Sequence, residues 1–141
     1  MKVKEEKKVI TQEHIIKTFL SDDGKEFQTQ KECEKYEENL LLEQLEQKAM
    51  TIKHFSFTPI LVDNDHEYKW FYVTNQEELD TVKNYYNTIA SYGVSYDNVS
   101  FPEWVGIEEG YDGDVWEAGT LTQYQKNVSD MVESFAEQTN L

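Results

Sequence analysis

Along the chain the hydrophobic pattern changes period three times, always in the same order. A short aromatic-rich apolar run, an Asp/Asn/Gly turn and a second apolar run lead into Thr-x-x-Glu or Thr-x-x-Gln, and then into apolar residues at helical spacing. The turns are Asp22-Asp23-Gly24, Asp63-Asn64-Asp65 and Asp112-Gly113-Asp114; the capping pairs are Thr29/Glu32, Thr74/Glu77 and Thr120/Gln123. A tight hairpin needs residues that tolerate positive φ, which Gly, Asn and Asp do. A Thr hydroxyl, with Glu or Gln three residues on, satisfies N–H groups left free at a helix start. The pattern predicts a β-hairpin followed by a helix, three times over.

Residues 1–9 predict a flexible, lysine-rich arm. In the first unit, 10–48, residues 14–20 and 25–27 flank the turn, and a helix over about 30–48 sets Cys33, Tyr36, Leu40, Leu41 and Leu45 on one core-facing stripe. The second, 52–89, has Phe55, Phe57, Ile60 and Leu61 before its turn, residues 70–73 after it, and a helix over about 75–89 carrying Leu79, Val82, Tyr86 and Ile89. Glu77, Glu78 and Asp80 fall in its first turns, where the helix dipole favours anions. The third, 101–138, takes 101–107 and 115–116 as strands and a helix over about 121–137 with the stripe Leu121, Tyr124, Val128, Met131, Val132 and Phe135. Pro102 offers a ladder no N–H and directs its strand towards a sheet edge.

Residues 90–100, rich in Ser, Tyr, Gly and Asn, are longer than a usual connection and form a candidate functional loop. The Thr caps lie 45 and 46 residues apart with slight side-chain identity between units, which reads as recurrence of a stable ββα unit. The expectation is an α+β fold in two layers, a mostly antiparallel sheet of about six short strands with three helices.

Composition bounds this picture. A chain of 141 residues fits a single domain and buries about 68–70% of its unfolded surface. Aromatics at 13% and hydrophobics at 38% supply enough apolar surface to fold despite a net charge of minus 15. The one cysteine, Cys33, sits on the apolar side of the first helix and reads as a buried thiol. Neither a signal-length apolar run after the N-terminus nor eighteen consecutive apolar residues occurs, so the expected location is cytoplasmic, with no membrane partner. All 13 basic residues are lysine. Without arginine, the usual fork for phosphate, the chain is not expected to bind nucleic acid directly.

Acid is concentrated late: residues 101–141 carry nine carboxylates against the single Lys126. Glu103, Glu108, Glu109, Asp112, Asp114 and Glu117 alternate there with Trp104, Tyr111 and Trp116. Carboxylates beside exposed rings suit a surface that meets a basic partner, charge steering the encounter and rings supplying contact area. A solvated acidic face kept for solubility is the alternative, and both stay open. Asp63, Asp65 and Glu67 lack the glycine and terminal glutamate of a calcium loop. His14, His54 and His66 have no metal-ligand spacing, and no nucleophile motif or phosphate loop is present. The chain therefore predicts no catalysis, metal or cofactor.

The stretch Ser21-Asp22-Asp23-Gly24-Lys25-Glu26-Phe27, followed by Thr29-Gln30-Lys31-Glu32-Cys33 within residues 18–37, resembles the opening of many small accessory proteins of phages and prophages of AT-rich Gram-positive bacteria. The resemblance implies an accessory product of a class that includes inhibitors of host enzymes and of anti-phage defence, among them anti-CRISPR proteins and acidic mimics of nucleic acid. Together with the acidic third unit, it leads to the expectation of a non-enzymatic inhibitor docked on the basic nucleic-acid channel of a host protein. The rival is an assembly or adaptor module, a homo-oligomer or virion part built through strand edges and Tyr/Trp rings.

Overall fold

The computed structural model describes residues 1–9, 13–57, 66–110 and 112–139, and the side chains of all of these except residues 8, 9, 13 and 14. The turn Asp63-Asn64-Asp65, Ile60, Leu61 and Tyr111 lie outside the described residues. Among the described residues the fold is α+β, with three helices and two antiparallel sheets of three and four strands. The chain divides into two compact units, Met1–Gln44 and Leu45–Leu141. The three hairpin-helix units are present. An additional strand pairs with the first hairpin and makes it a sheet of its own, where the pattern predicted one sheet in one domain.

In the first unit β1 (Lys2–Val9), β2 (Glu13–Leu20) and β3 (Glu26–Phe27) precede α1 (Gln30–Met50), whose residues from Leu45 on belong to the second unit. Residues 1–9 are thus mostly strand rather than the expected arm. A full ladder with β2 pairs the backbone groups that face it, and Glu5 stands opposite Lys17, Oε1 to Nζ 3.5 Å. Lys4 Nζ reaches Glu6 and Glu26 at 2.9 Å each. Exposed pairs of this kind contribute little, so the ladder does most of the holding. The β2–β3 turn places Gly24 at φ +90°. Tyr36 of α1 packs on Phe27, ring centroids 5.1 Å apart, and donates its hydroxyl to Asp23 at 2.6 Å. Cys33 is fully buried, and burial raises its thiol pKa. Leu41 departs from the predicted core stripe and is 54% exposed.

The second unit contains β4 (His54–Ser56), β5 (His66–Val73), α2 (Gln76–Ile89), β6 (Glu103–Gly110), β7 (Val115–Thr120) and α3 (Leu121–Thr139), with sheet order β4-β5-β6-β7. β6 is interior, not an edge. Pro102 precedes its first residue, where a missing N–H costs no ladder bond. Strand alternation sends Phe71, Val73, Val105, Ile107 and Val115 to one face, against Leu79, Val82 and Tyr86 of α2. Each such fully buried side chain contributes about 1.5–3 kcal/mol of transfer free energy. Residues 90–100 are not purely polar covering, because Val94 joins this core.

Two caps stand where the pattern put them. Glu32 N–H donates to Thr29 Oγ1 at 3.2 Å and Gln123 N–H to Thr120 Oγ1 at 3.1 Å. At α2 the cap moves one residue on. Asn75 accepts from Glu78 N–H at 2.9 Å, and the Glu78 carboxylate takes the Thr74 N–H and hydroxyl at 2.7 and 3.0 Å. Asn caps at least as well as Thr, so the box shifts to Asn75/Glu78. α3 begins on the sheet face opposite the core, where Leu121 and Tyr124 are half-buried. Every residue from 125 to 135 is exposed, so the rest of its stripe is surface rather than core.

Candidate functional site

The sheet face away from α2 is built by the other set of alternating positions, Tyr68, Trp70 and Tyr72 on β5 and Trp104, Gly106 and Glu108 on β6. Gly106 pairs directly with Trp70, and a Cβ at Gly106 would stand 2.7 Å from the indole ring. The missing side chain lets Trp70 lie flat on β6, where Tyr124 of α3 meets it edge-on at 6.0 Å. Further along, Trp104 packs against Phe55 and Tyr72, each centroid 5.0 Å away, and Lys53 Nζ sits 5.7 Å from the Tyr72 and Trp104 rings.

Phe55, Phe57, Trp70, Trp104, Leu121 and Tyr124 line an open groove of about 380 Å³. Phe55 is 47% and Phe57 56% exposed. Five rings and a leucine offer contact area with almost nothing to orient a polar metabolite, whereas small-molecule sites place a few polar groups among their apolar walls. Such a groove takes an apolar anchor.

At the far end of the same face, His66 Nδ1 lies 2.5 Å from Glu108 Oε1. The Tyr68 hydroxyl donates to Glu108 at 3.1 Å and to Glu117 at 3.3 Å. Burial, then the charges of Glu117 and Glu108, push the phenol pKa well above its ordinary value, so Tyr68 remains a donor to both carboxylates. Trp116 covers the imidazole at 4.9 Å, and Gly110 leaves room for its indole. The cluster is a clamp across β5, β6 and β7. Its buried carboxylate is compensated, as buried charge must be.

The predicted acidic residues do not form one face. Glu108, Trp116 and Glu117 come together in the clamp, and Trp104 lies in the groove. Glu109 follows Glu108 directly and therefore points to the core face, where its charge adds to the effect of burial in raising the Tyr86 phenol pKa. Glu103, at the opposite end of β6, accepts from the Thr122 hydroxyl at 2.5 Å and the Trp104 N–H at 2.8 Å. Asp112 is exposed and accepts the Asp114 N–H at 3.1 Å. Asp114 accepts the Ser91 hydroxyl at 2.6 Å, the Ser91 N–H at 3.0 Å and the Val115 N–H at 2.8 Å, and the Ser91 bonds lower its pKa. Tyr111 lies outside the described residues. Strand alternation and local hydrogen bonding have divided a cluster that is compact only in sequence.

In the sequence Phe55 and Phe57 read as strand residues and Leu121 and Tyr124 as a helix stripe, and nothing local joins the two pairs. The available signal was aromatic residues at both alternating sets of one strand, 68–72, which leaves one set outside the main core. A larger acidic concavity of about 630 Å³ lies in the first unit, lined by Asp22, Asp23, Glu34, Glu37 and Glu38 with Leu40 and Leu41 among the other walls. Among the described residues no three His, Cys, Asp or Glu side chains are placed to hold a metal, and no helix is long and apolar enough to cross a membrane. No protein-family model, curated protein or solved structure matches this chain.

Proposed function

We propose that the protein is a non-enzymatic, phage-type accessory protein that binds and inhibits a host nucleic-acid-handling protein. It docks an apolar anchor of that partner into the aromatic groove of its second unit. The single observation that carries the reading is the groove of Phe55, Phe57, Trp70, Trp104, Leu121 and Tyr124, aromatic and open. Buried aromatic contacts dominate the energetics of protein interfaces, and this lining suits a protein side chain better than a polar ligand. The net charge of minus 15 supplies the second ingredient, since a negative field raises association rates with a basic surface and does so less as salt increases. Contact energy is thereby assigned to the rings and steering to the molecule as a whole, with no need of one acidic face.

The test is capture from a Gram-positive host lysate followed by kinetics on the purified partner, comparing the native chain with Phe57→Ser, a substitution at an exposed position. The expected outcome is a basic nucleic-acid-handling protein bound at least about tenfold more weakly by the variant, a loss of about 1.4 kcal/mol. Its association rate should fall several-fold between about 50 and about 300 mM salt. A partner whose binding ignores both changes would overturn the reading.

A further inference from the structure

α3 carries more apolar surface than its sheet uses. Leu121 and Tyr124 are half-buried there, while Val128, Met131, Val132 and Phe135 are 38%, 50%, 57% and 62% exposed. Leu121, Tyr124, Val128, Met131 and Phe135 follow one another at alternating intervals of three and four, the seam of a two-helix coiled coil, with Val132 beside it. At 19 residues the helix is about 28 Å long, so the free part spans more than two turns.

The charges on α3 identify what can cover it. Lys126, Asp130, Glu133 and Glu137 all fall on the side opposite the seam, and Lys126 Nζ is paired with Asp130 at 2.6 Å. The positions flanking the seam are Gln125, Asn127, Ser134 and Thr139, none of them charged. In a chain of net charge minus 15 this strip is where a second copy meets no opposing carboxylates. A basic partner would find nothing there to pair with.

The order of side chains also suits a two-fold axis. Val128 lies as far before the midpoint between Met131 and Val132 as Phe135 lies after it. We propose that α3 pairs antiparallel with α3 of a second copy, the axis passing beside residues 131 and 132. Val128 then packs opposite the partner's Phe135 and Met131 opposite the partner's Val132, so that a small side chain meets a large one throughout. Lys126 comes level with the partner's Glu137. Such an interface is isologous and closes at the dimer. The pairing rests on residues 128–135, whereas the groove takes only Leu121 and Tyr124 from α3, so the two readings can be tested separately.

Sedimentation velocity between about 1 and about 100 µM, at low and at high salt, tests the association. The native chain should move from monomer to dimer over this range, more readily at high salt, which screens the repulsion between two copies each of net charge minus 15, and Val132→Glu, at an exposed position, should remain monomeric throughout. Cysteine substitution tests the geometry. In the antiparallel pair two copies of residue 132 are offset by about 1.5 Å along the axis and two copies of residue 128 by about 10 Å. Mild oxidation should therefore link Val132→Cys into a disulfide dimer and leave Val128→Cys unlinked. A native chain that stays monomeric at about 100 µM in high salt, a dimer unaffected by Val132→Glu, or linkage through Val128→Cys would each overturn the proposal. Partner capture by Val132→Glu, and dimerisation of Phe57→Ser, separate this outcome from that of the groove.

Discussion

Trp70 and Gly106 act as one structural unit made of two residues on neighbouring strands. The indole rests where a Cβ would be, so its ring is held against backbone on one side and Tyr124 on the other. Gly106→Ala leaves the ring 2.7 Å from the new carbon and forces it off the strand. The expected loss is about 1–3 kcal/mol, the usual cost of overpacking, read from urea unfolding followed by tryptophan fluorescence. The groove should change shape at the same time, because the displaced ring is pushed towards Tyr124 and both are among its walls. Glu108 and Glu109 teach a related lesson. Adjacent in sequence and identical in chemistry, they face opposite sides of one strand, and only a register places them.

At the level of elements, residues 90–100 show how a polar segment is held. Val94 enters the core, its N–H donates to Asn87 Oδ1 at 2.5 Å, and Ser91 is tied to Asp114 across the β6–β7 turn. The Asp114 pKa is lowered from the ordinary 3.8, so its contribution to the fold is present above the unfolded value and is lost as pH falls through the folded one. The Ser91 amide resonance should accordingly titrate with a midpoint below 3.8, and Asp114→Asn should abolish that step. A midpoint above 3.8 would contradict the assignment.

Hairpins, helices and two of three caps were legible because each depends on residues within a few positions of one another. At α2 the expected Thr74/Glu77 gives way to the adjacent Asn75/Glu78, which has the same spacing, so spacing alone does not choose between them. What could not be read was non-local. The strand at residues 2–9 depends on its pairing with β2, and the groove joins Phe55 and Phe57 to Trp104 and Tyr124 through strand order. The stripe on α3 was visible, but its exposure was not, since an apolar seam looks the same whether it faces its own sheet or another molecule.

For the molecule as a whole, charge is the dominant fact. Twenty-eight carboxylates against thirteen lysines repel one another in the compact state, and salt relieves the repulsion. Raising sodium chloride from about 0.05 to about 0.5 M should lift the melting temperature by a few degrees. A fall would mean that the charge pairs outweigh the net repulsion.

The two-unit architecture has a practical corollary. Trp70, Trp104 and Trp116 all belong to the second unit, and the only sulfhydryl, Cys33, is sealed inside the first. Indole emission therefore monitors one half of the chain and thiol-reagent labelling the other. The native protein comes with separate spectroscopic and chemical gauges for its two halves, and whether they open together or in turn can be followed without installing a probe.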